Sequence, residues 1–149
     1  MTMAQRLLRL ILIVTGAALV LALPFAFIPR AWHASIHEWI GLGPYPDGPV
    51  IDYLVRSVSG MYVLSGLFCW LVATDLRRYG PMVQFLGWTS IAFGILMTVV
   101  DKMLGLPWWW IAGEGPEAII LGAILIILER AANAPGADST SSPDAGARS

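Results

Sequence analysis

The sequence predicts an all-α integral membrane protein, an up-down antiparallel four-helix bundle with a short amphipathic helix on its outer face. Three observations carry this. Hydrophobic residues make up 57% of the 149 residues and charged residues only 13%, against roughly a quarter charged in soluble domains. Mean hydropathy is +0.70. Three apolar runs free of formal charge, Leu10 to Pro29, Ser57 to Thr74 and Tyr79 to Val100, span 20, 18 and 22 residues, and about 20 residues cross a ~30 Å hydrocarbon core. Too few charged side chains remain to solvate a soluble domain of this size or to keep the chain disordered. No alternating pattern marks a β-barrel.

The first span is expected over about residues 8–28. Arg6 and Arg9 precede its apolar stretch, which is longer than a signal-peptide core, and no small-x-small cleavage site precedes Arg30. An uncleaved helix is therefore expected. Pro24 should kink it or mark where its outer end breaks.

An amphipathic helix follows at about 31–41. Trp32, Ile36, Trp39 and Ile40 form one helical stripe. That stripe should lie on the outer surface, with tryptophans in the headgroups and histidines toward water. His33, His37 and Glu38 also admit a metal reading, since two imidazoles on adjacent turns plus a carboxylate can hold Zn²⁺ or Cu²⁺. It is not the zincin motif, because Ala34 stands where that motif needs glutamate.

The second span is expected over 50–77. Asp47-Gly48-Pro49 supplies an N-cap and a first-turn proline, and Asp52 and Arg56 share a face and can pair. Gly80-Pro81 turns the chain into a third span, 81–103. The connection is short, so these two spans should be antiparallel neighbours.

The fourth span ends at Glu129-Arg130. Counting back roughly 20 residues reaches Trp109, inside Trp108-Trp109-Trp110, an interfacial anchor like Trp32 and Trp39. Either one helix runs from this belt and carries Glu114 and Glu117 below the interface, or 106–115 is a re-entrant segment or interfacial loop and the span is 116–132. Gly113, Gly115 and Pro116 favour the second. Glu117 would then sit in a first helical turn, where the dipole favours an anion. Residues 133–149, rich in Ser, Asp, Pro and Gly, are expected to be a disordered cytoplasmic tail.

The arginines orient the chain. Six of them, Arg6, Arg9, Arg77, Arg78, Arg130 and Arg148, fall on the side of the termini, against Arg30, Arg56 and Lys102 on the other. The positive-inside rule places both termini in the cytoplasm of a cell membrane. The opposite face carries both histidines and six of the ten acids, so any chemistry is expected there.

At that face Arg56 opens the second span, Asp101 and Lys102 close the third, and Glu114 and Glu117 precede the fourth. Ionisable groups at this depth face inward and pair. Arg56 should fork to Asp101 or Glu117. The cluster reads as an ion-pair network, or as a pocket for a small polar ligand, an ion or a proton.

Small residues recur every fourth position: Ser65, Cys69 and Ala73, then Ser90, Gly94 and Thr98, then Ala118 and Gly122. Such stripes allow close helix packing. Cys69, the single cysteine, excludes an intramolecular disulfide and reads as packing.

Four spans, Arg56-Ser57, the Asp closing the third span, Leu106-Pro107-Trp108-Trp109-Trp110 and Gly113-Glu114-Gly115-Pro116 together resemble the BphX-like group of small bacterial membrane proteins, over about Leu7 to Arg130. The resemblance implies a bacterial inner-membrane protein of uncharacterised role and carries no catalytic residues.

No nucleophile-base set can be read, so no enzyme is expected, and no cofactor. The foremost functional reading is an accessory or structural protein acting through helix contacts. Expected partners are the lipid bilayer and a second copy or another membrane protein. A net charge of -1 gives no basic stripe for nucleic acid. Binding or transport at the acid and arginine cluster is the alternative, and a metal-dependent membrane enzyme the weaker one.

Overall fold

The computed structural model describes residues 1–134, so most of the expected tail lies outside the described residues. Five α-helices follow one another: α1 (Met3–Val20), α2 (Arg30–Trp39), α3 (Pro49–Thr74), α4 (Gly80–Leu104) and α5 (Trp108–Ala132). A 3-10 helix, Leu23–Ala26, joins α1 to α2. Four stretches, with α1 taken on to Ala26, are long and apolar enough to cross a membrane.

Local chemistry explains the ends. The Thr2 hydroxyl accepts from the Gln5 backbone N–H, and the Gln5 side chain accepts from the Thr2 N–H. This capping box starts α1 earlier than the apolar run does. Pro24 breaks the C-terminal end of that span into the 3-10 turn, as its ring predicts. The N-cap of α3 is Gly48, at φ 128°, and Asp47 bonds elsewhere. Gly105, at φ 68°, ends α4: its N–H reaches the Lys102 carbonyl and the Leu106 N–H reaches the Asp101 carbonyl.

The fourth span corrects the expectation of a broken 106–115 segment. It is one helix from Trp108, with Pro116 inside. The glycines that argued for a break instead let α5 lie against α4. A Cβ built on Gly94 would stand 2.5 Å from the Gly115 carbonyl oxygen, and one on Gly115 would stand 2.7 Å from the Gly94 oxygen. Gly87 meets Gly122 one heptad away. Interhelical packing of this closeness holds the proline-bearing helix together. Glu117 accordingly lies deep in α5 and not in its first turn.

A second seam joins α1 to α3. A Cβ on Gly16 would stand 2.8 Å from the Gly66 oxygen, and the Trp70 indole donates to the Ile13 carbonyl at 3.1 Å. Leu8, Leu12, Cys69, Val72, Ala73, Val83 and Leu125 form the buried core. It sits toward the end of the bundle that holds the N-terminus and the α3–α4 turn.

The short α3–α4 connection does not make those helices a packed pair, contrary to expectation. Instead α3 lies on α1, α4 lies on α5, and α1 on α5 joins the two pairs. Glycine seams decide this, because helices pack where backbones can approach. A groove of about 570 Å³ remains among α1, α3, α4 and α5, with Ser65, Cys69 and Ser90 among its lining residues.

Candidate functional site

The α2 end of the bundle holds a cavity of about 670 Å³. Its walls are the end of α1, the 3-10 turn, α2 and the first half of α3, with Trp110 from α5. Most lining residues are aliphatic or aromatic, and none is Asp, Glu, Lys or Arg.

The inner face of α2 is not the stripe expected from periodicity. His33, Ile36, His37 and Ile40 line the cavity, while Trp32 and Trp39 are exposed at 63% and 85%. The tryptophans thus face outward, but the histidines, expected toward water, turn inward. The reason is backbone polarity. His33 Nε2 lies 2.9 Å from the Phe25 carbonyl oxygen, and His37 Nδ1 lies 2.9 Å from the Gly43 carbonyl oxygen. The Phe25 carbonyl lies at the end of the 3-10 helix and the Gly43 carbonyl in the loop after α2, and both need donors. His33 is 5% exposed.

Tyr45 packs against both imidazoles, with ring centroids 6.2 Å from His33 and 5.5 Å from His37. Its hydroxyl donates to Asp52 Oδ1 at 3.3 Å. Burial first, then the Asp52 carboxylate, push the Tyr45 phenol up, so it stays protonated and a donor. Arg30 completes the rim. It donates to Asp52 Oδ2 at 2.9 Å, to Asp47 Oδ1 at 2.8 Å and to the Pro46 carbonyl at 2.8 Å, and its guanidinium lies 5.0 Å from the Tyr45 ring centroid. Asp47 is fully exposed, so that pair contributes little. The Arg30–Asp52–Tyr45 chain is what holds the 40–48 loop against α2 and α3.

The expected acid and arginine cluster does not assemble. Arg56 donates to the Ala26 carbonyl at 2.6 Å and the Ile28 carbonyl at 3.0 Å. It does not fork to Asp101 or Glu117, because these carbonyls, left over where the 3-10 helix ends, are nearer acceptors. Asp52 likewise takes Arg30 and not Arg56. Asp101 is 1% exposed and its Oδ2 has no hydrogen-bond partner. Lys102 and Glu117 are exposed. Glu114 accepts from the Trp110 indole at 2.6 Å, which ties the α5 end of the cavity wall; Trp108 is exposed and Trp109 packs edge-on to Trp110.

Two residues of the site escaped the sequence reading: Tyr45 on the cavity wall and Arg30 on its rim. Tyr45 sits among Pro and Gly and Arg30 follows Pro29 at a helix start, where no periodicity marks a face. Glu38 is exposed. Among the described residues no three His, Cys, Asp or Glu side chains are grouped to hold a metal ion.

Fold and site together define a multi-pass helical membrane protein with an apolar chamber at one end. No family model, curated protein or solved structure matches the chain.

Proposed function

We propose that this protein binds a lipophilic molecule taken from the outer leaflet of the membrane, held in the chamber beneath α2. The observation that supports the reading is the chamber itself: about 670 Å³, apolar along its length and rimmed by ordered polar groups. Ligand sites of this kind fall in the range of roughly 300–1,000 Å³ and bury most of the ligand. The reading keeps the binding class but moves the site from the acid and arginine cluster to the His33 and Tyr45 chamber, and it makes the ligand apolar.

Photolabelling tests it. An alkyl diazirine without a polar head, added to the protein in lipid nanodiscs, should label peptides containing 33–45 and 54–62 above the level of other lipid-facing peptides. Val58→Trp, which fills the chamber, should lower that labelling roughly tenfold, a loss of about 1.4 kcal/mol. Uniform labelling of all lipid-facing peptides, unchanged by Val58→Trp, would sink the reading.

In this proposal the chamber faces outward and both termini are cytoplasmic, on the arginine asymmetry; the BphX-like resemblance supports placing the protein in a bacterial inner membrane. A reporter active only in the cytoplasm should work when fused after Arg130 and fail when inserted near Asp47. The reverse pattern would turn the protein over.

The groove lined by α1, α3, α4 and α5 favours a second reading, an accessory role through helix contacts. Ser65 and Ser90 on its walls suit close helix approach. Native mass spectrometry showing a stable dimer or a co-purified membrane protein would support it, and a clean monomer would count against it.

A further inference from the structure

The chamber beneath α2 and the groove below it share their walls. Along α3, Val55 and Val58 line the chamber, Tyr62 lines both spaces, and Ser65 and Cys69 line the groove. Their steps of three, four, three and four put all five on one face of the helix. The wall from α1 repeats this: Thr15 and Leu19 line the groove, and Ala18 and Ala22 line the chamber. Tyr62 is 40% exposed, so its ring is wall surface and not a packed plug. Glycine seams keep the furrow open. Gly16 meets Gly66 between α1 and α3, and Gly87 meets Gly122 between α4 and α5. Among the described residues no such seam joins α3 to α4.

Length decides what can fill this furrow. Val55 to Cys69 is a rise of 14 residues, about 21 Å in an α-helix. One leaflet of a ~30 Å hydrocarbon core is about 15 Å deep. A phospholipid chain tethered to a headgroup at the α2 end therefore stops short of the far end. A void left there forfeits its dispersion contacts, and a longer chain entering beneath α2 makes them. Apolar burial does not discriminate, since lipid tails are as apolar as the furrow; reach does.

The lining also decides charge. No Asp, Glu, Lys or Arg lines either space. At the α2 end Arg30 is committed to Asp47 and Asp52, and Arg56 to the Ala26 and Ile28 carbonyls. A carboxylate or phosphate drawn in would lose its hydration with no countercharge.

Resting on the binding function proposed above, we infer that the ligand is an uncharged single-chain lipophile longer than one leaflet is deep, its chain running from the chamber past Tyr62 into the groove.

The test uses decanol, shorter than a leaflet is deep, and octadecanol, longer, each with a diazirine at the end of the chain. Both are added to the full-length protein in nanodiscs. Decanol should label chamber peptides within 33–45 and leave groove peptides within 64–69 and 86–93 at the level of other lipid-facing peptides. Octadecanol should label the groove peptides above that level, and octadecanoate with the same diazirine should label them less. Val58→Trp, which fills the chamber, should lower groove labelling by octadecanol by the same roughly tenfold factor as chamber labelling, because one molecule occupies both. Ser65→Trp, which blocks the groove, should lower groove labelling by octadecanol and leave chamber labelling by decanol unchanged. Groove labelling by octadecanol that survives Val58→Trp would mean two separate spaces, the groove filled from the bilayer; the length assignment would fall and the chamber's binding function would stand. Octadecanol confined to the chamber peptides would have the same consequence. Octadecanoate labelling the groove as well as octadecanol would overturn the uncharged assignment. Chamber peptides labelled no more than other lipid-facing peptides by either alcohol would remove both the inference and the function beneath it.

Discussion

Gly94→Ala should lower the melting point of the detergent-solubilised protein sharply, while Gly113→Ala should raise it or leave it unchanged. The two glycines lie on helices that pack together, and only their surroundings differ. A methyl at Gly94 would stand 2.5 Å from the Gly115 carbonyl oxygen and 2.8 Å from the Ile119 side chain. The first obstacle is backbone and cannot rotate away. The helices must separate, and the Gly87–Gly122 contact one heptad along must open with them. Overpacking of a tight seam costs about 1–3 kcal/mol, and a helix pair held at two glycine contacts belongs at the upper end. At Gly113 nothing lies within 4 Å of an added methyl. There the substitution only improves helix propensity, by up to about 1 kcal/mol. If both variants melt alike, α4 and α5 do not pack through this seam. A separated seam would also free the turn at Pro116, which lies inside α5.

Arg56→Ala should be the most damaging removal of a charged side chain. The guanidinium spans two carbonyls, Ala26 at 2.6 Å and Ile28 at 3.0 Å, and so fastens the chain between the 3-10 helix and α2 onto α3. Hydrogen bonds from a charged donor contribute roughly 1.5–3 kcal/mol each. Arg56 is half-buried, so water can replace part of the loss, and a net cost of about 3 kcal/mol is expected. Arg56→Lys should recover part of it, because a compact ammonium cannot span both oxygens. The effect reaches the chamber. Phe25, whose carbonyl sets the His33 ring, lies next to Ala26, so hydrogen exchange over residues 23–33 should quicken in Arg56→Ala before the rest of the protein opens. An unchanged melting point together with unchanged exchange there would show that the two carbonyl contacts contribute nothing.

Arg56 also shows how far a linear reading reaches. Its type and depth mark a residue that must find partners inside the bundle. Its partners were sought among carboxylates, since those are visible as letters. The true acceptors are backbone oxygens exposed where Pro24 forces a 3-10 turn, and every residue carries such an oxygen. The α2 helix repeats the lesson. Its existence, its amphipathicity and its outward tryptophans were legible, but hydropathy turned the histidines toward water, whereas they face the chamber. Tryptophan gains as much from the headgroup layer as from a core, and a histidine can be buried once carbonyls answer its ring. In α5 the run Gly113 to Pro116 was read as a break because local propensity weighs against a helix; contact with α4 reverses the balance.

Sequence by itself determined the number of apolar spans, the approximate bounds of the first three and the break at Pro24. These follow from apolar length and charge placement, which the bilayer reads one segment at a time. Tertiary structure alone decided which helices touch, where Arg56 and the histidines find acceptors, and that a chamber lies beneath α2. Those outcomes depend on glycine seams between helices and on carbonyls met by side chains from other elements, and a meeting in space leaves no periodic trace in the order of the residues.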